Sequence, residues 1–339
     1  MIKIYNFNAC KLSYKNGSYG GLAGEKDGVL INGEEWLIKY PKNLSGMKGE
    51  VASYSTAPLS EYLGSHIYKI LGIDVHETLL GEKNGKIVVA CKDFAVDNKM
   101  LLEIRTIKNH TGLELSEMLE EKEITSTDAH VVDLDELLLH IDKNPVLSVV
   151  DGIKDRFYEQ AIIDIFINNN DRNNGNWGIL RERGKKDKLA PVFDNGGSFS
   201  TKITNTKMKR IMDNGILENN TRNVITAYGK GEHPYSANKF MNYVENIEEF
   251  RNAILRIVPM INDKMDEIQK LIDEIPEYHI AADGKYLEVM SPIRKEFYSK
   301  QLGIRLYDIL YPEYDKIQAL NNPSVSQKDN PNVAKVKSI

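Results

Sequence analysis

Cysteine is scarce: Cys10 and Cys91 are the only two in 339 residues. Two thiols cannot build a disulfide framework or a four-thiolate metal centre, and their scarcity fits a reducing, cytoplasmic compartment. Long apolar runs are missing as well. No stretch approaches the ~20 residues of a membrane span. Met1 to Cys10 lacks the basic patch and apolar core of a secretory signal, so export, if it occurs, uses a route that reads no such signal. A basic excess is also absent. With 44 Lys and Arg against 49 Asp and Glu, the net charge is −5, which argues against a chain built to hold nucleic acid or an anionic membrane. The seven histidines are scattered without the H-x-x-x-H spacing of a zinc hydrolase. Neither a G-x-S-x-G elbow nor a G-x-x-x-x-G-K-[ST] loop occurs.

What is present is ordinary in bulk: 41% apolar and 27% charged residues, enough for a large core in two domains or two lobes. Residues 1–94 read as a small β-rich lobe. Asn32-Gly33 and Asn84-Gly85 each sit between apolar runs, and both residue types tolerate the positive φ of a tight hairpin. Between the hairpins, Pro58 and the apolar series Leu59, Leu63, Ile67 and Ile70/Leu71 predict one helix, stopped at Gly72. Residues 95–320 read as a larger helical lobe. It includes a largely buried helix at 156–167 that ends at Asn168 to Asn170, and later helices at 247–261, 263–274 and 286–310, the last broken near Pro292. Residues 114–142 hold ten acidic residues and one lysine, which reads as a solvated helical face. Residues 321–339 read as a disordered tail. The expected fold class is α+β and two-lobed.

The chemistry concentrates in Asn170-Asp171-Arg172-Asn173-Asn174-Gly175-Asn176-Trp177-Gly178. This segment follows the buried helix and precedes a predicted hairpin, Trp177 to Leu180 and Leu189 to Phe193, turning near Gly184. The second strand runs into Asp194-Asn195-Gly196. Any Asn/Asp/Gly-rich loop favours turns, so neither motif alone means much. Their order does: an Asp, an Asn five residues on, then a second Asp-x-Gly after a hairpin. Phosphoryl transfer from ATP needs one carboxylate to orient and deprotonate a hydroxyl, and an amide oxygen with a second carboxylate to hold Mg²⁺. Asp171 is the expected base, and Asn176 and Asp194 are the expected metal ligands.

The N-terminal lobe supplies the matching parts. Trp36-Leu37-Ile38-Lys39 reads as a strand ending in a phosphate-binding lysine. Upstream lies a glycine-rich stretch, with Ser18, Gly20 and Gly21 as candidate phosphate-contacting residues. Glu61 is the candidate partner of Lys39, with Glu50 the weaker alternative. Ile87 to Phe94 would form the hinge, a strand whose backbone could hydrogen-bond an adenine. Past Asp194, residues 197–235 carry Ser198, Ser200, Thr201 and the basic residues Lys202, Lys207, Lys209 and Arg210, read as a solvated loop in the activation-loop region or as a dock for an acidic or phosphorylated peptide.

On these residues the chain resembles the HipA-like serine/threonine kinases, and most closely their compact CtkA-like branch. The resemblance runs from about Gly17 to Phe199. It is strongest at Ser60-Glu61-Tyr62, Glu77 to Gly81, Ile87 to Phe94, Asn170 to Gly178 and Ala190 to Asp194. It implies a two-lobed kinase fold using ATP and Mg²⁺ on a protein serine or threonine, with Lys39, Asp171, Asn176 and Asp194 in the roles above and the adenine-facing hinge at Ala90 to Lys92. It also implies either an antitoxin partner or the role of an effector acting on a host. One departure stands out. The family reads D-R-H where this chain has Asp171-Arg172-Asn173, and an asparagine cannot carry the charge of a histidine. In HipA a serine of the glycine-rich loop is autophosphorylated, which switches activity off, and Ser18 is the nearest hydroxyl here. Competing readings are a lipid or small-molecule kinase, a degenerate kinase serving as a binding module, and a nucleotidyl transferase on the same fold.

Overall fold

The two Asn-Gly steps set the first sheet. A computed structural model describes residues 1–18, 26–121 and 131–321. In it, Asn32 and Gly33 (φ 53° and 83°) and Asn84 and Gly85 (φ 53° and 68°) form two-residue turns with positive φ at both positions. Strands β1 (Tyr5–Asn6), β2 (Lys11–Leu12), β3 (Lys26–Ile31), β4 (Glu34–Lys39), β5 (Thr78–Lys83) and β6 (Lys86–Lys92) assemble in the order β1-β5-β6-β4-β3-β2. β1 is the single parallel addition, alongside β5. The sheet divides by the two-residue period of its strands. Val88 and Ala90 of β6 join Phe7, Val29, Trp36 and Ile38 in a small apolar cluster, while Val89 and Cys91 face the main core.

Helix α1 (Ala57–Ile70) lies on the main-core face of that sheet. It has Pro58 in its first turn and stops at Leu71, before Gly72 at φ 69°. The chain then enters β7 (Lys99–Glu103), α2 (Ile104–Lys108), α3 (Leu113–Glu121), β8 (Val132–Asp133), α4 (Leu134–Lys143) and α5 (Ile153–Ile167). α5 is buried on every side from Phe157 to Ile167, as a helix at the centre of a lobe must be. Asn168, at φ 56°, closes it in the left-handed region. After α5 come the hairpin β9 (Gly178–Glu182) and β10 (Lys188–Leu189), then α6 (Asn205–Asp213) and α7 (Leu217–Arg222). A second hairpin follows, β11 (Ile225–Lys230) and β12 (His233–Ser236), then α8 (Ala237–Val244), α9 (Glu248–Asp263) and α10 (Met265–Glu274). The last elements are β13 (Tyr278–Ile280), β14 (Tyr286–Glu288), α11 (Pro292–Arg305), a π-helical turn at Leu306–Leu310 and α12 (Tyr311–Asn321). No helix among the described residues is long and apolar enough to cross a membrane.

Several expectations change. The region after Phe94 is less purely helical than its composition suggests. β7 pairs antiparallel with β9, and Gly178 makes this possible, since a Cβ there would lie 2.1 Å from the Leu102 carbonyl oxygen. The expected second strand up to Phe193 is only Lys188–Leu189; Val192 instead bridges in parallel to Val75. Pro292 begins a helix rather than breaking one. Ser291 caps it, its hydroxyl accepting from the Arg294 N–H, and proline without its N–H suits the first turn. Residues 286–288 are therefore strand. The acidic stretch contributes two separate helices, α3 and α4, and its 122–130 portion lies outside the described residues. So do Gly20, Gly21 and the tail beyond Asn321.

One glycine shows how tightly the first sheet is closed. A Cβ on Gly81 would sit 2.2 Å from the Phe7 ring and 2.6 Å from the Tyr5 carbonyl oxygen. Gly81→Ala should cost about 1–3 kcal/mol through overpacking and lower the melting temperature by several degrees in a thermal-shift assay. Gly46→Ala, where a Cβ meets nothing within 4 Å, should leave the melt unchanged.

Candidate active site

Three elements deliver charge to one point. Lys39 is the last residue of β4, Glu61 lies in the second turn of α1, and Asp194 follows the β9–β10 hairpin. The Lys39 ammonium donates to Glu61 Oε2 at 2.8 Å and to Asp194 Oδ1 at 2.7 Å. Glu61 is 1% exposed. Its other oxygen accepts from the backbone N–H of Asn195 at 3.0 Å and lies 3.1 Å from His76 Nε2. Two glycines permit this closeness. A Cβ on Gly64 would fall 2.8 Å from Asn195 Cβ, and one on Gly196 would fall 3.2 Å from Glu61 Oε2.

The Asp171 segment is tied to the same point from below. Arg172 is 1% exposed, and all five of its N–H donors find acceptors. Nε donates to Asp164 Oδ2 at 2.8 Å and Nη2 to Asp164 Oδ1 at 3.1 Å. Nη1 donates to the carbonyls of Asn176, at 2.9 Å, and of Phe193; Nη2 also reaches Asn195 Oδ1 at 2.6 Å. One side chain thus joins α5, the Asp171–Asn176 loop and the Asp194 loop. The two loops touch at Gly197, where a Cβ would lie 2.8 Å from the Asp171 Cβ. Asn176 turns its amide N–H₂ onto the Asp171 carbonyl, which directs its own oxygen elsewhere. Asn173 donates to Asp171 Oδ1 at 3.1 Å while its oxygen accepts from the Gly175 N–H at 2.9 Å. The asparagine that stands where the family pattern has a histidine therefore holds the Asp171 carboxylate by a hydrogen bond from a neutral donor.

The structure brings Lys39, Glu61, Asp194, Asp171 and Asn176 into one neighbourhood. Glu50, the alternative to Glu61, instead pairs with Arg210 and accepts from Thr204. Ser18 is exposed at the start of the glycine-rich stretch, its N–H bonded to the Lys15 carbonyl at 2.9 Å. Ala90 and Lys92 are less available than expected. Ala90 pairs with Ile38 on one side and Leu79 on the other, and the Lys92 N–H is spent on the Glu77 carbonyl at 2.9 Å. The next N–H, that of Asp93, is likewise spent on the Glu35 carbonyl at 2.9 Å. Sequence reasoning missed Asp164, Arg172, His76 and Asn195 as parts of the site. The readable signal was an aspartate inside the apolar run Ala161 to Ile167, with an arginine eight residues on.

Glu61, His76 and Cys91 place three ligand atoms within 4.8 Å of one another, all buried. Both Glu61 oxygens are already engaged, and burial pushes the Cys91 thiol up, well above its ordinary range. The cluster acts as a hydrogen-bonded buttress rather than a metal centre. A cavity of about 600 Å³ lies elsewhere, between Tyr54, Ile87, Asn205 and Tyr286, and none of the five expected residues lines it.

Burial disfavours both charges of the central pair, but each partner outweighs it. Asp194 and Glu61 hold Lys39 well above the usual lysine range, while Lys39 and His76 hold Glu61 well below the usual carboxylate range. The depressed carboxylate contributes stability that is present above its unfolded value of about 4.3 and lost as pH falls through the folded one. The raised ammonium contributes stability that is present below about 10.4 and lost as pH rises through the folded value. Thermal melts should therefore decline on both sides of this window, and Glu61→Gln should flatten the acid limb. An identical acid limb in the variant would mean that the pair is not what the fold loses in acid.

Comparison with known proteins bears on this arrangement. No family model matches the chain. It is 32% identical over 311 residues to the serine/threonine-protein kinase CtkA of Helicobacter pylori, covering 90% of this chain and 86% of that one. The crystal structure of the Helicobacter pylori proinflammatory kinase CtkA superposes with a TM-score of 0.77 at 28% identity, over 94% of this chain and 99% of the other. A HipA–HipB–operator DNA toxin–antitoxin complex from Shewanella oneidensis matches with a TM-score of 0.52 at 14% identity, over 87% of this chain and 67% of that one, which speaks to the fold alone. With a lysine–glutamate pair joining sheet to helix and an Asp-bearing loop on either side of a hairpin, the chain belongs to the CtkA branch of the HipA-like kinases and is a serine/threonine protein kinase.

Proposed function

We propose that the chain transfers the γ-phosphoryl group of ATP to a protein serine or threonine hydroxyl, with Asp171, Asn176, Asp194 and Lys39 as its working residues. The observation that carries this reading is the Lys39 ammonium bridging Glu61 and Asp194 while Gly197 holds the Asp194 loop against Asp171. Such a site works by positioning and charge neutralisation, because the transition state offers little covalent chemistry for a protein to perform.

Asp171 orients the attacking hydroxyl and takes its proton as the new P–O bond forms and the bond to the ADP oxygen breaks. Asn173 fixes the carboxylate for that task. Lys39 neutralises phosphate charge, and Glu61 keeps the ammonium in place when no nucleotide is present. The donor set suits Mg²⁺: one carboxylate and one amide oxygen are hard ligands, and the Asn176 amide is turned so that its oxygen is the free end. Asn176 and Asp194 would hold the ion, which would supply further neutralisation of the phosphates. The adenine would meet backbone beyond Asp93, whose own N–H is already engaged.

Intact-protein mass spectrometry after incubation with ATP and Mg²⁺ tests the reading. The wild type should gain phosphate-sized increments, or pass them to an added protein acceptor, and Asp194→Ala should not. Asp171→Asn should slow transfer by about 10²–10⁴-fold, the usual contribution of a positioned base. AMP-sized increments would move the assignment to nucleotidyl transfer. The exposed Ser18 hydroxyl is the proposed autophosphorylation site. Ser18→Ala should lose that increment, and unchanged incorporation would sink the assignment.

A further inference from the structure

The segment that follows Asp194 is pinned from two sides without any phosphate. Above it, the β4–α1 connection folds back on itself as a strap. Asn43 bridges Tyr54, the Leu44 N–H bonds the Ser53 carbonyl at 2.8 Å, and the Ser55 N–H bonds the Lys42 carbonyl at 2.9 Å. The strap's second arm lies along residues 201–203. Val51 bridges Ile203, the Ala52 N–H donates to the Lys202 carbonyl at 2.8 Å, and the Thr56 N–H donates to the Thr201 carbonyl at 2.9 Å. Glu50, at the head of this arm, pairs with Arg210.

Below it sits Arg294 of α11, only 3% exposed. Nη1 donates to the Ser200 carbonyl at 3.4 Å and Nη2 to the Ile203 carbonyl at 3.0 Å. Nη2 also reaches Asn205 Oδ1 at 3.4 Å, and Nη1 the Tyr298 hydroxyl at 3.0 Å. Tyr298 in turn donates to the Ser200 carbonyl at 3.3 Å. Every carbonyl from Ser200 to Ile203 is thus engaged. A guanidinium is costly to bury unless its donors are satisfied, and these acceptors are peptide oxygens, an amide and a hydroxyl. Where a kinase loop is ordered by phosphorylation, a phosphate added to the loop recruits an arginine. Here an arginine already grips the loop's own backbone.

We infer that Arg294 is a positioning residue that holds residues 200–204 docked in the unphosphorylated chain, and that the strap carries this docking to the first turn of α1, and so to Glu61. The strap makes the link directly, because its last residue, Thr56, is also the residue that precedes α1. This rests on the reading of Asp194 given above, and its test does not depend on phosphoryl transfer.

Hydrogen exchange read by mass spectrometry provides that test, on the full chain carrying Asp171→Asn, which slows self-phosphorylation, with its unphosphorylated state checked by intact mass. Peptides covering 200–204 should be protected in that background. Adding Arg294→Gln should speed their exchange by about tenfold or more, together with peptides covering 50–60, while α5 and β5–β6 stay unchanged. Arg294→Lys should fall between, since a lysine donates from one point and cannot span the carbonyls. If Arg294→Gln does not fold, Glu50→Gln on the strap should loosen 50–56 and 200–204 together. Free exchange of 200–204 with Arg294 intact would overturn the inference. So would equal loosening of α5 and β5–β6, which marks a general structural role, or no change at all. Failure of phosphoryl transfer in the wild type would count against the reading of Asp194 and leave the exchange result standing.

Discussion

A buried arginine with all five donors satisfied is the fixed point of this molecule. Arg172 reaches α5 through Asp164, its own loop through Asn176, and the Asp194 loop through Phe193 and Asn195. Burial works against its charge, yet the Asp164 carboxylate outweighs that and raises the guanidinium above its ordinary range. Asp164 is itself held by Tyr68 of α1 at 2.8 Å and by Asn169 at 3.2 Å. The Asp171 and Asp194 loops are thus tied by charge-assisted hydrogen bonds to α5, which is buried on every side from Phe157 to Ile167. Removing either member would strand a charge where water cannot reach it.

From there the network climbs into the small lobe. Asn195 accepts from Arg172 through its side-chain oxygen, donates to Ser65 at 3.0 Å, and gives its backbone N–H to Glu61. Glu61 then meets Lys39. The path from α5 to β4 runs through polar groups whose partners lie far apart along the chain, and glycines at 64, 196 and 197 keep the layers in contact. The lobes are joined by hydrogen bonds and close backbone approach as well as by the apolar core.

What the sequence disclosed follows from how local each signal is. The hairpins at Asn32-Gly33 and Asn84-Gly85 were readable because a two-residue turn is specified by its own two residues. α1 was readable from Pro58, its apolar spacing and Gly72. Lys39, Glu61, Asp171, Asn176 and Asp194 were readable as an order of residue types. Asn195 and His76 were not, because their partners are remote and their residue types suit any loop. β7 was missed because five residues of mixed character mean little until β9 lies beside them. Ala90 to Lys92 were readable as strand, but no residue type distinguishes a strand with one free edge from one flanked on both sides. Pro292 was read as a break because proline disrupts a helix interior; the preceding Ser291 turns the same residue into a start.

Asp194 has one further consequence. Its φ of 61° puts an L-residue in the left-handed region, which costs about 1–2 kcal/mol unless the residue is glycine or can bond locally. Glycine would sit there without that cost, but it offers no carboxylate, the group the proposed reading needs at this position. Stability and chemistry therefore pull in opposite directions at this position. On the proposed reading, it is the reaction and not the fold that calls for an aspartate in this backbone.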